Sequence, residues 1–167
     1  MGNDLDLSGG KHPAPVAYMA RTRAYYQAQG FAKPYAWAHN ETTPFTPLRK
    51  PLDQSTVGLV TTAATYPRKS LEPRVIDSGD IDARPIELYA DDLSWDKKAT
   101  HLDDVNSFLP VETLETLASE GTIGQLAPRY HCAATEYSQR TTLEKDAPEI
   151  HRRLLEDGVD VVLLAPL

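Results

Sequence analysis

The chain has 167 residues, 41% of them hydrophobic and 25% charged, with a net charge of −7 and one cysteine. That is the length of a single domain able to bury a core, at ordinary globular composition. The negative balance excludes nucleic-acid or anionic-membrane binding as the main task. No apolar run approaches the roughly 18 residues of a membrane span, and a lone Cys132 allows no disulfide within the chain, so a reduced, cytoplasmic protein is expected.

Residues 1–14 are polar and lack the apolar centre of a signal peptide. From Val16 to Gln29 the sequence predicts a helix, with Gly30 as its stop. Residues 31–53 carry Pro34, Pro44, Pro47 and Pro51, a density that forbids a long helix or a central strand. The aromatics Phe31, Tyr35, Trp37 and Phe45 predict an arm packed against a body. Ser55–Ala64 is the first strand, apolar and β-branched. Tyr66–Arg84 reads as a long polar loop, and residues 85–92 as a second strand in which Ile86, Leu88 and Ala90 alternate with Glu87 and Tyr89. A loop from His101 leads to a helix over residues 111–121, with Leu114, Leu117 and Ala118 as its apolar stripe. Residues 122–131 predict a short strand and turn.

The last helix has the clearest signals. Asp146 and Glu149 approximate a capping box, Pro148 sits in the first turn and Gly158 ends the helix. Ile150, Leu154 and Leu155 are expected to face the core. The run "GVDVVLLAPL" (Gly158–Leu167) then reads as a fully buried parallel strand. This strand–helix–strand rhythm predicts an α/β fold with a doubly wound, mostly parallel sheet of Rossmann or flavodoxin-like type, preceded by an irregular N-terminal arm. The expected division is a helix and proline-rich arm over 1–53 and an α/β domain over 54–167, one expected to continue past its last strand.

Candidate chemistry is sparse. His101, Asp103 and Asp104 carry metal-ligand side chains, but without a second cluster at ligand spacing they read as a polar loop whose aspartate caps the next helix, and no metal site is expected. Thr61 and Thr62 close the first strand, where ligands gather in open α/β sheets; their hydroxyls could hold a substrate or satisfy their own turn. Arg129 and Arg140 have the guanidinium forks that clamp carboxylates. His131 and Cys132 adjoin, but neighbours in sequence need not point at each other, so a small buried thiol is expected rather than a nucleophile pair. His151 lies on the polar side of the last helix.

Six stretches in order, "YYQAQGF.KPYAWAHNETTPFTPLRKPL", "VGLVTTAA", "D.N..LP", "EG.IG.LAPR", "SQRTT.E.DAPEI" and "GVDVVLLAP", resemble the selenoprotein B family of glycine, sarcosine and betaine reductases, including related D-proline reductase subunits. The likeness runs from about Tyr18 to Pro166. It implies reductive C–N cleavage of a small amine or amino acid, with a carbonyl (pyruvoyl) cofactor on a partner reductase subunit and none in this chain. It also implies that the strand "VVLLAP" leads into a selenocysteine- or cysteine-based redox motif. This chain has no Cys-x-x-Cys, so no catalytic residue is assigned within it, and Leu167 is expected to precede a selenocysteine codon. The alternative is a non-catalytic binding or assembly subunit on the same scaffold. Thr61, Thr62, Asp104, Asn106 and Arg129 are the residues expected to line the substrate pocket. A terminal strand with an open edge further predicts an oligomer.

Overall fold

A computed structural model describes residues 17–33, 36, 38–67, 75–89, 101–133 and 138–166. The chain divides into two compact units, Met1–Thr43 and Pro44–Leu167. In the first, helix α1 (Tyr18–Ala28) ends in a Schellman turn: Gly30 N–H bonds to Gln27 O, Phe31 N–H bonds to Tyr26 O, and the Phe31 ring meets Tyr26 edge-on. Tyr35 and Trp37 of the expected arm lie outside the described residues.

The second unit is built on a four-stranded sheet in the order β2-β3-β1-β4. Its strands are β1 (Thr56–Thr61), β2 (Asp77–Asp80), β3 (Gln125–Cys132) and β4 (Val161–Ala165). Strand β1 is buried along its whole length and lies parallel to both β3 and β4, whereas β2 joins β3 antiparallel. The chain leaves β1, forms β2, returns through helices α2 (Val105–Phe108) and α3 (Val111–Ser119) to β3, then crosses back through helix α5 (Ala147–Glu156) to β4 on the other side of β1. Right-handed crossovers in opposite directions must place their helices on opposite faces, and they do. Val111 and Leu114 of α3 share a core with Val57, Leu59 and Tyr130, while α5 (Ala147–Glu156) lays Leu154 over Gly58 on the opposite face. The sheet is thus doubly wound and mostly parallel, of the Rossmann or flavodoxin-like type. Among the described residues no helix is long and apolar enough to cross a membrane.

Several expectations are corrected. Strand β2, "DSGD", lies inside the stretch read as loop. It is polar, but Tyr130, opposite Gly79, lays its ring where any side chain at 79 would stand, and so supplies the packing that β2 lacks. Residues 85–89 form no strand: Ile86 is 97% exposed, and Tyr89 makes one isolated bridge to Ala64. The short strand expected near residues 122–131 is the eight-residue β3. It bulges opposite Gly58, where Pro128 has no N–H to give the ladder.

The last helical run starts earlier than Asp146. Ser138 Oγ caps a short helix α4 (Gln139–Thr141), a π turn over Thr142–Asp146 follows, and α5 continues without a break. Asp146 is therefore inside the run and makes no cap. Leu155 is 62% exposed, because a step of about 100° around the helix from Leu154 carries it off the sheet. Strand β4, expected to be fully buried, is the sheet edge, with Leu163 40% and Leu164 68% exposed. An apolar β-branched run forms whether one neighbour or two lie beside it, so the pattern cannot report which.

Candidate functional site

The crossover from β1 toward β3 and the one from β3 to β4 run in opposite directions, which puts the switch-point crevice at the carboxyl ends of β1 and β4, the position where doubly wound sheets hold ligands. Thr62 N–H reaches Ala165 O at 3.4 Å, so the loop leaving β1 closes against the end of β4. Thr61 is buried, and its Oγ1 accepts a 3.1 Å hydrogen bond from Ala63 N–H. Its hydroxyl thus shapes the turn. Thr62, one residue on, is half-buried at the mouth of the crevice.

The loop carrying Asp104 and Asn106 belongs to the same end of the sheet. Helix α3 delivers the chain to Gly124, whose N–H bonds to Ser55 O at the amino end of β1, so α3 begins at the carboxyl end. Leu102, Val105 and Phe108 pack against the cluster that contains Ala63 and, beside it, Ala165. Asp104 caps α2, accepting from Asn106 N–H at 3.1 Å and from Ser107 Oγ at 2.7 Å. Asn106 Nδ2 donates to Thr113 Oγ1 at 3.0 Å, while its Oδ1 is buried and, among the described residues, has no hydrogen-bond donor. This carbonyl oxygen is an acceptor at the same end of the sheet as the crevice.

Arg129 is placed elsewhere. It stands in the β3 bulge opposite Asp80, three residues and about 10 Å before the carboxyl end of its strand. Its guanidinium grips Asp157 with Nε at 3.0 and 3.1 Å and Nη2 at 2.7 Å. The carboxylate raises the Arg129 pKa further above its ordinary value. The structure therefore gathers Thr61, Thr62 and the Asp104–Asn106 loop at one end, and commits Arg129 to a bracket between β3 and the end of α5.

That bracket is part of a network absent from the sequence reading. His131 is fully buried on the same strand face as Arg129. Its Nδ1 lies 2.7 Å from Ser78 Oγ, and Ser78 Oγ accepts from Arg153 Nη1 at 2.6 Å. The other ring nitrogen, Nε2, lies 3.5 Å from Asp157 Oδ2. Burial lowers the His131 pKa, offset in part by Asp157, so the ring is neutral at neutral pH. Arg153 also donates to Ile76 O and Glu149 Oε1, and Arg152 and Arg153 together hold Glu149 down to a pKa of about 2. A serine against a histidine suggests nucleophilic chemistry, but this hydroxyl is engaged by the Arg153 guanidinium and the imidazole is fully buried, so the group serves packing between elements. The network pins α5 and β2 to β3. Its one legible signal was the period-two spacing of Arg129 and His131.

The remaining polar candidates are peripheral. His101 Nδ1 and Asp103 Oδ2 are 3.3 Å apart on the surface, and among the described residues no third ligand joins them. Cys132 is buried at the end of β3, with Sγ against Ala63 O. Strand β1 separates it from β4, a gap of about 10 Å.

No family model and no solved structure matches the chain. One curated protein does, D-proline reductase subunit gamma of Acetoanaerobium sticklandii, at 34% identity over 128 residues, covering 72% of this chain and 52% of that protein. The chain thus spans about half the length of the curated relative it matches. Over most of its own length it is a homologue of part of D-proline reductase subunit gamma, which relates it broadly to that reductase family.

Proposed function

We propose that this chain is the substrate-facing scaffold of a thiol- or selenol-dependent reductase of the selenoprotein B and D-proline reductase type. The carrying observation is the homology to D-proline reductase subunit gamma over 72% of this chain. In this reading the C–N bond of a small amine or amino acid is cleaved with two electrons from a dithiol or selenol–thiol pair, which is oxidised to its S–S or Se–S bond. The pair lies on residues outside these 167, close to the carboxyl end of β4. Cys132 is too far from that end and too deeply buried to serve.

Thr62 and the Asp104–Asn106 loop then line the crevice. Thr61 holds the turn, and Arg129 braces β3 beside it through Asp157. In this reading the pyruvoyl group would sit on a partner subunit and would supply a carbonyl that activates the amine. No residue of this chain is assigned to it.

The nucleotide sequence after codon 167 tests this reading. A UGA codon followed in frame by a cysteine codon within a few positions supports it. A UAA or UAG without a continuing frame refutes it in favour of a non-catalytic binding or assembly subunit. That second reading rests on one observation, the buried state of the only cysteine.

A further inference from the structure

Strand β2 is the shortest and most polar strand of the sheet, half-buried, and among the described residues it pairs with β3 alone. Its register puts Ser78 beside His131 and Asp80 beside Arg129, and puts Asp77 beside Cys132 at the crevice end. Side chains fasten it near that end. Ser78 Oγ meets His131 Nδ1 and Arg153 Nη1, Arg153 Nη1 also holds Ile76 O, and Asp77 Oδ2 accepts from the hydroxyl of Thr65. Thr65 lies in the loop leaving β1, just beyond Thr61 and Thr62. At the other end of β2, Ile81 is buried in the core with Leu59 and Leu88 and fixes the exit of the strand. A segment held by hydrogen bonds, with few buried apolar contacts of its own, is the kind that opens locally.

His131 stands behind this fastening, fully buried. The ring is faced by Ser78 from β2, by Arg129 from its own strand, and by Arg153 and Asp157 from the end of α5. Strand β1 sets Val60 in register with it and brings no titratable side chain. The acids nearby are already committed: Asp157 to the Arg129 fork, Glu149 to Arg152 and Arg153, and Glu156 beside Arg129. A neutral imidazole carries one N–H, whereas an imidazolium donates from both nitrogens. Once protonated, the ring and Arg153 would be two cations donating to one Ser78 oxygen, and both Arg129 and Arg153 oppose the added charge. Moving Ser78 away admits water to Nδ1, and hydration stabilises the charge.

We propose that β2 is a proton-operated latch on the crevice end of the sheet. With His131 neutral it closes on β3. With the ring protonated on both nitrogens, the Asp77–Gly79 part leaves β3, hinged at Ile81, and frees the loop that carries Thr61, Thr62 and Thr65. Burial makes the ring harder to protonate in the closed form than in water. The latch is therefore at full strength above about pH 6.5 and weakens as the pH falls toward the closed-form value. This inference rests on the buried network and not on the proposed reductase chemistry.

Hydrogen exchange of the full chain, read by mass spectrometry across this range and corrected for the intrinsic effect of pH, tests the latch. The peptide spanning β2 should be less protected than that spanning β1 at every pH, because its opening is local. Its protection should fall below about pH 6.5, by up to about tenfold per pH unit. His131→Gln, which cannot titrate, should hold β2 protection constant. A second variant locks the latch. Opposed residues of an antiparallel pair have Cα atoms about 4.5–5.5 Å apart, within disulfide reach, so Asp77→Cys should form a disulfide with Cys132 on oxidation. The oxidised variant should keep β2 protected as the pH falls, and the reduced one should not. Equal protection of β2 and β1, a flat β2 profile in the unaltered chain, or a fall that persists in His131→Gln or in the locked variant overturns the proposal. The unaltered chain and the locked variant decide the question even where His131→Gln does not fold.

Discussion

Gly58, in the middle of the central strand, is where α5 comes closest to the sheet. A Cβ added there would stand 2.8 Å from Leu154 Cδ2 and 2.9 and 3.0 Å from the two γ-methyls of Val159. Carbon atoms prefer roughly 3.5–4.0 Å, so each contact overlaps by about 0.5–1 Å. The Leu154 methyl can rotate away. The two methyls of Val159 cannot both do so, because a β-branched side chain is stiff at χ1, so the turn from α5 into β4 must move. Overpacking of this kind costs about 1–3 kcal/mol, against roughly 0.4–1 kcal/mol gained because alanine restricts the unfolded chain. Gly58→Ala should therefore destabilise by about 1–2 kcal/mol, with a fall in Tm of about 2–8 °C for a chain of this size. Urea unfolding followed by circular dichroism, run as a double-mutant cycle with Val159→Ala, isolates the cause. The double variant should recover about 0.5–2 kcal/mol relative to the sum of the single ones. A neutral Gly58→Ala, or strictly additive costs, would refute the close approach of α5 through Val159.

The buried network makes two more predictions. His131 has a lowered pKa in the folded protein, so between that value and the unfolded imidazole value of about 6.5 the unfolded chain binds more protons. Stability is then full above about pH 6.5 and falls as the pH drops through the folded-state value, by at most about 1.4 kcal/mol per unit. His131→Gln should flatten the slope just below about pH 6.5 in urea titrations, and an unchanged slope would show that His131 is not its source. Asp157→Asn breaks the Arg129 fork and should cost about 1.5–3 kcal/mol, since its side chain is nearly buried and its partner is a charged donor. A loss below about 0.5 kcal/mol would mean that the bracket does not hold α5 to β3.

Legibility in the sequence followed how local each signal was. Helix ends were the most readable: Gly30, Gly121 and Gly158 all have positive φ and close Schellman turns after α1, α3 and α5. At Gly158 the turn also seats Val159 against Leu154, the pair that then lies over Gly58. Of the alternation read into residues 85–92, the part over 85–89 forms no strand because period-two polarity needs a partner strand, and Tyr89 finds only one bridge; residues 90–92 lie outside the described residues. Strand β2 was hidden because its packing is supplied by Tyr130, some fifty residues away in sequence. Of the expected pocket residues, the threonines and the Asp104–Asn106 loop could be placed from strand and helix order alone. Arg129 could not, because its role depends on Asp157 of a different element.

By itself the sequence determined the α/β rhythm, the central apolar strand, the helix stops and the likeness to a reductase family, since each is written in neighbouring residues or in their order. The tertiary structure alone decided which apolar strand is central and which is the edge, that a polar segment joins the sheet, and that a serine, an aspartate and two arginines form one network around a buried histidine. Those are properties of pairs distant along the chain. Burial, strand neighbourhood and the match of a charge to its partner are set by what folds against a residue, and no local pattern carries that information.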